Sequence, residues 1–89
     1  MRDVGFQSFA TTGGWVSGTG IPVVIYGANI DSSGGGTLEL YSDDGVTLVI
    51  TKQSTKDAWS IDLPFGVTFK NGCHVSFPGT RLTVFYRKI

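Results

Sequence analysis

Trp59–Phe77 reads WSIDLPFGVTFKNGCHVSF, and its periodicity carries the fold class. Trp59, Ile61 and Leu63 alternate with Ser60 and Asp62. Val67 and Phe69 alternate with Thr68 and Lys70, and Cys73, Val75 and Phe77 with His74 and Ser76. A repeat of two puts every second side chain on one face, the mark of a strand that buries one side. Between the runs stand Pro64-Phe65-Gly66 and Asn71-Gly72. Asn-Gly tolerates positive φ at both residues and is the strongest short hairpin signal. The stretch therefore predicts three strands, with a turn at Pro64–Gly66. It also predicts a hairpin at Asn71-Gly72 that pairs Val67 and Phe69 with Val75 and Phe77.

The same texture extends in both directions. Val4–Phe9, Ile21–Ala28, Thr37–Ser42, Val46–Lys52 and Arg81–Arg87 are rich in Val, Ile, Thr and aromatics, separated by Gly, Asp, Asn and Pro clusters. Leu38 and Leu40 alternate with Thr37, Glu39 and Tyr41, and Pro22 suits the first residues of a strand. Thirteen glycines are scattered through the chain, and no stretch of a dozen residues keeps a helical apolar period. Strands at roughly 8–12-residue spacing predict an all-β, single-domain antiparallel β-sandwich of seven to eight short strands, jelly-roll-like in topology. An immunoglobulin-like sandwich fits less well, because its cysteine–tryptophan–cysteine core is missing. Residues 18–89 form the expected sandwich body. Residues 1–17 form an N-terminal strand and loop, read as an arm that contacts neighbours.

Bulk composition narrows the function classes. At 89 residues the chain is one domain, and 40% apolar residues suffice for a small core. Seven basic residues balance seven acidic ones, so no basic excess exists to neutralise phosphates or an anionic membrane. Nucleic-acid and membrane partners are not expected. Zero net charge on a small apolar domain favours association. The N-terminal MRDVGFQSFATTGG has no apolar signal-peptide run, which predicts a protein made and kept in a cytosol, or packed into something assembled there.

Chemistry finds little footing. Cys73 beside His74 suggests a thiol and its base, but neighbouring strand residues point to opposite faces, whereas a catalytic dyad needs hydrogen-bond reach. Cys73 reads as a small core hydrophobe and His74 as an outward residue. Asp31, Asp43 and Asp44 lie in loops of the kind that bind calcium, without the ligand spacing of a calcium motif. One cysteine and one histidine cannot build a zinc site. GGWVSGTG lacks the Gly-Lys-Ser/Thr ending of a phosphate loop, and Glu39, the only glutamate, sits on a polar strand face. No catalytic residue, metal or cofactor is predicted, and the chain is read as a non-enzyme. Trp15, in a loop of small residues, has two open readings: a contact with a partner or sugar, or a plug over one end of the sandwich.

A resemblance adds a direction. Phe65–Lys88, FGVTFKNGCHVSFPGTRLTVFYRK, resembles the C-terminal region of small virion structural proteins of tailed bacteriophages, of the capsid decoration or cement kind. There a G-V-x-F-x-N-G-x-x-V segment precedes a final T-V-F-Y strand. GTGIPVVIYGANI and GGGTLELYSDDG are similar to the earlier part of such chains, so the likeness spans residues 18–87. Gly66, Val67, Phe69, Asn71, Gly72, Val75 and Thr83–Tyr86 occupy the matching positions as architectural residues. The resemblance implies a decoration protein on the exterior of a phage head. It would bind the major capsid protein or other virion proteins and self-associate as a homotrimer. The alternative is a carbohydrate- or receptor-binding sandwich on a fibre or on a head or tail appendage. Arg2, Asp3, Phe6, Phe9 and Trp15 are the residues expected at subunit or capsid contacts.

Overall fold

The computed structural model describes residues 4–10, 13–32, 35–42, 48–77, 79 and 81–89. It is an all-β sandwich of eight strands: β1 (Gly5–Phe9), β2 (Gly13–Trp15), β3 (Val23–Asp31), β4 (Gly36–Tyr41), β5 (Leu48–Ser54), β6 (Ala58–Phe69), β7 (His74–Ser76) and β8 (Arg81–Lys88). Two four-stranded antiparallel sheets run in the orders β1-β8-β3-β6 and β2-β7-β4-β5. First pairs with last, second with seventh, third with sixth, and fourth with fifth. That nesting is a long hairpin wound on itself, the jelly roll.

This winding changes what the turns do. Only β4 and β5 are consecutive strands of one sheet; every other connection crosses from one sheet to the other. Asn71-Gly72 is therefore not the hairpin its composition predicts. The Gly72 N–H donates to the Phe69 carbonyl at 3.4 Å, so a tight turn is present, but it carries the chain across the sandwich. Val67 and Phe69 pair with Ile25 and Val23, while Val75 pairs with Gly14 and Leu40. The cause is global. In a jelly roll β3 and β4 already hold the places a local hairpin would need.

The Pro64–Gly66 turn is also absent as such. Trp59–Leu63 and Val67–Lys70, two strands by pattern, are parts of one twelve-residue β6. Its pairing with β3 runs Gly27↔Asp62 and then Ile25↔Val67, so Leu63–Gly66 stand opposite Tyr26 alone. The excess residues leave the ladder as a bulge, which spares the two flanking segments from separating.

The core lies between the sheets, where Val23, Ile25, Leu38, Leu40, Val75, Leu82 and Val84 are fully or almost fully buried. Val16 and Cys73 close one end, joined by a hydrogen bond of 2.9 Å from the Val16 N–H to the Cys73 carbonyl. Polar bridges cross both open sides of the sandwich. On one side the Gln7 amide donates to the Trp15 carbonyl at 3.2 Å and accepts from the Ser17 N–H at 2.6 Å, tying β1 to the segment around β2. On the other, the Lys52 ammonium of β5 donates to the Ser60 carbonyl of β6 at 2.6 Å.

Candidate functional site: two aromatic faces

The core is filled, and the described strands turn their remaining side chains to the outer faces of the two sheets. The sheet β1-β8-β3-β6 presents Val4, Phe6 and Ser8 from the β1 edge, and Arg81, Thr83, Phe85 and Arg87 from β8. It also presents Val24, Tyr26, Gly27 and Asn29 from β3, and Ser60, Asp62 and Thr68 from β6. Phe6 and Phe85 are direct cross-strand neighbours, and Phe85 in turn faces Gly27. Val4, Tyr26, Gly27, Asn29, Asp62 and Phe85 line a shallow trough on this face. Gly27, without a side chain, leaves it open above the Ile61 carbonyl.

The β6 bulge folds over the same face. Leu63 turns into the core, and Gly66 lies against the outward side chains of Val24 and Tyr26. Gly66 has φ +76°, and a Cβ there would sit 2.5 Å from Val24 Cγ1. Between these two anchors Phe65 is 98% exposed, and Phe6 on the opposite edge of the sheet is 68% exposed. A phenylalanine held clear of its own protein on an anchored bulge has nothing intramolecular to gain from its position. Arg87 braces the face, its Nε donating to the Tyr26 hydroxyl at 3.1 Å.

The sheet β2-β7-β4-β5 carries a different feature. Trp15, His74, Tyr41 and Leu48 stand in one cross-strand row over all four strands. Trp15 and His74 meet edge to face with ring centres 5.0 Å apart, and Tyr41 and His74 are tilted at 6.3 Å. Gly13, Ser76, Glu39 and Thr51 form the polar row beside it. Desolvation, and then the neighbouring Glu39 carboxylate, hold the Tyr41 phenol above its ordinary pKa. His74 Nδ1 is buried without a hydrogen-bond partner.

The expected contact residues divide accordingly. Phe6 projects from the outer face. Phe9 instead lies in the core at 8% exposure, because pairing with Leu82 puts it on the inward parity of β1, where its ring rests on Gly14. Trp15 belongs to a strand, not a loop, and is half-buried against His74. Arg2 and Asp3 lie outside the described residues, as do the loop carboxylates Asp43 and Asp44. Asp31 is exposed at the end of β3. Among the described residues no group of three or more His, Cys, Asp or Glu side chains converges as a metal site. Cys73 is fully buried, and burial pushes its thiol up to about 12. A thiol so desolvated is a poor nucleophile at neutral pH.

Phe65, Phe85 and Gln7 are the residues that sequence patterning overlooked. Phe65 looked like part of a turn. Pro-Phe-Gly between two strands of the same parity is the signal that could have marked it as a bulge tip. No match to this chain is returned by a scan of family models, by a search of curated proteins or by a search of solved structures.

Proposed function

We propose that this chain is a non-enzymatic structural protein that docks onto an assembled particle, a decoration or cement protein of a phage head. The observation that carries the proposal is Phe65, 98% exposed on a bulge that Gly66 anchors to the sheet face bearing Phe6, itself 68% exposed. Apolar residues gathered and presented in this way mark a surface that another surface covers. The particle assignment draws on the likeness of residues 18–87 to small virion proteins. It draws also on the jelly roll, an architecture used by viral capsid domains and by lectins, which is support by analogy of fold alone. Docking would stabilise the lattice by mass action, since a ligand that binds only the assembled state favours that state. The test is co-sedimentation of the purified chain with mature heads and with free major capsid subunits. Binding to heads that is lost in Phe65→Ser is the expected result. Equal pelleting of wild type and variant would remove Phe65 from the contact.

The row Trp15–His74–Tyr41, flanked by Glu39 and Ser76, favours a second reading. Aromatic rings beside a carboxylate and a hydroxyl suit a sugar, which stacks its apolar face and hydrogen-bonds its rim. A glycan-array signal abolished by Trp15→Ala at unchanged melting temperature would assign the chain to an appendage that binds carbohydrate.

A further inference from the structure

We propose that Asn71 is a site of spontaneous covalent modification in the folded protein. Its amide is lost by attack of the Gly72 nitrogen, and the isoaspartate that results loosens the Val16–Cys73 end of the sandwich. The inference is independent of the docking reading, which uses no residue of this turn.

The chemistry needs only water. The Gly72 N–H gives up its proton to solvent, and the peptide nitrogen bonds to Cγ of Asn71. The Cγ–Nδ2 bond breaks, and the departing nitrogen takes up a proton and leaves as ammonia. A cyclic succinimide is left, and water opens it at either carbonyl. Opening at Cγ gives aspartate. Opening at the backbone carbonyl gives isoaspartate, whose main chain runs through Cβ and Cγ.

The turn meets the requirements of ring closure. Asn71 is exposed between β6 and β7, so water reaches its side chain. The attacking nitrogen belongs to a glycine, which puts no Cβ beside the forming ring. Its N–H donates to the Phe69 carbonyl at 3.4 Å, longer than the roughly 2.7–3.2 Å of a well-made bond, so little holds the nitrogen back. Asn29, the other asparagine, is an internal control. It lies within β3, paired with Ser60 on one side and Thr83 on the other, and the ladder fixes its backbone. The next residue is the buried, β-branched Ile30, whose stiff side chain crowds the nitrogen that would have to attack.

The consequence follows from what adjoins the turn. Gly72 is buried, and a Cβ on it would lie 3.1 Å from the Gly20 nitrogen, so the backbone has no room to shift there. Cys73 comes next, fully buried, with its carbonyl accepting the Val16 N–H at 2.9 Å. Isoaspartate inserts an extra backbone carbon immediately before this packed pair. The added length presses Gly72 into Gly20 or draws Cys73 away from Val16, and either displacement opens the Cys73 end. Aspartate keeps the backbone length and adds only a carboxylate beside Lys70.

The experiment ages the full chain in mildly alkaline buffer, native and in denaturant, and follows it by peptide mass mapping and an isoaspartyl methyltransferase assay. The native chain is expected to lose the Asn71 amide, with isoaspartate exceeding aspartate, while Asn29 keeps its amide. Asn71→Gln and Asn71→Ser, each with an unchanged melting temperature, should abolish methyl acceptance. The isoaspartyl fraction, isolated by chromatography, should alkylate at Cys73 several-fold faster than fresh protein under native conditions. Asn71→Asp should alkylate at the fresh rate. A native chain that keeps its Asn71 amide while the denatured chain loses it overturns the proposal, as does earlier loss at Asn29. Equal Cys73 rates in fresh and isoaspartyl chains overturn the link to the core.

Discussion

Cys73 and His74 are neighbours in sequence and strangers in space, and each has a consequence that can be measured. The Cys73 thiol is shifted from an ordinary 9.0 to about 12 by burial, so the folded chain keeps a proton that the unfolded chain releases. The raised value means that its contribution to stability is complete below pH 9 and is lost as pH climbs towards 12. The slope from this one group reaches about 1.4 kcal/mol per pH unit. Denaturant midpoints from pH 8 to 11 should fall more steeply for wild type than for Cys73→Ala; parallel curves would mean that the thiol is not the titrating group. Alkylation of Cys73 should likewise be slow in the native state and fast after unfolding. The His74 side chain, packed between Trp15 and Tyr41, leaves Nδ1 buried and unpartnered. An unsatisfied buried polar atom costs roughly 1–3 kcal/mol. His74→Phe, which keeps an aromatic ring and removes the nitrogen, should raise the melting temperature, whereas His74→Ala should lower it by opening the row. Strand parity alone was enough to place these two residues on opposite faces. It could not place Trp15 beside His74, because cross-strand neighbours depend on which strands pair.

At the scale of elements, the alternation of Trp59–Phe77 identifies strands and misassigns both of their junctions. Asn71-Gly72 has the conformational freedom for a hairpin and uses it: Gly72 takes φ +114°. What residue chemistry cannot encode is the plane in which the chain departs. Pairing partners are decided by the whole winding, in which β6 belongs with β3 and β7 with β4. The bulge is the complementary case. Pro64 has no N–H to offer a ladder, and Gly66 occupies a left-handed conformation, so both residues suit a segment that leaves the sheet. The pattern held that information, but two strands of like parity separated by Pro-Phe-Gly read equally well as a turn. Gly66→Ala tests the anchoring of the bulge. A side chain at φ +76° costs about 1–2 kcal/mol from conformation alone, and its Cβ would press on Val24 and Tyr26. The variant should lose at least that much stability in denaturant melts. Phe65→Ser, at a position 98% exposed, should change it by no more than about 0.5 kcal/mol. If Gly66→Ala proved neutral, the bulge would be loosely held and Phe65 would be a mobile side chain, not a presented one.

For the whole molecule, the nested order makes the N-terminal strand part of the body. β1 pairs with β8 along five residues, and Phe9 enters the core beside Leu82 and Gly14. Gly5–Phe9, within the segment read as a contacting arm, is thus a strand of the sandwich, and removing it would not isolate a contact. Truncating a buried phenylalanine to alanine typically costs 3–5 kcal/mol, a large fraction of the roughly 5–15 kcal/mol that stabilises a domain. Phe9→Ala should accordingly shift the denaturant midpoint sharply and expose the β8 edge to aggregation, while Phe6→Ala, three residues away on the outer parity, should leave the midpoint nearly unchanged. β1 pairs with β8 and β2 with β7, so contacts distant in sequence dominate the fold, and refolding should take milliseconds to seconds. Stopped-flow refolding followed by Trp59 and Trp15 fluorescence measures this directly. Phe9→Ala should speed unfolding far more than it slows folding, because a terminal strand docks late in such a winding. An equal effect on both rates would place β1 in the folding nucleus and reverse the order of assembly inferred from the topology.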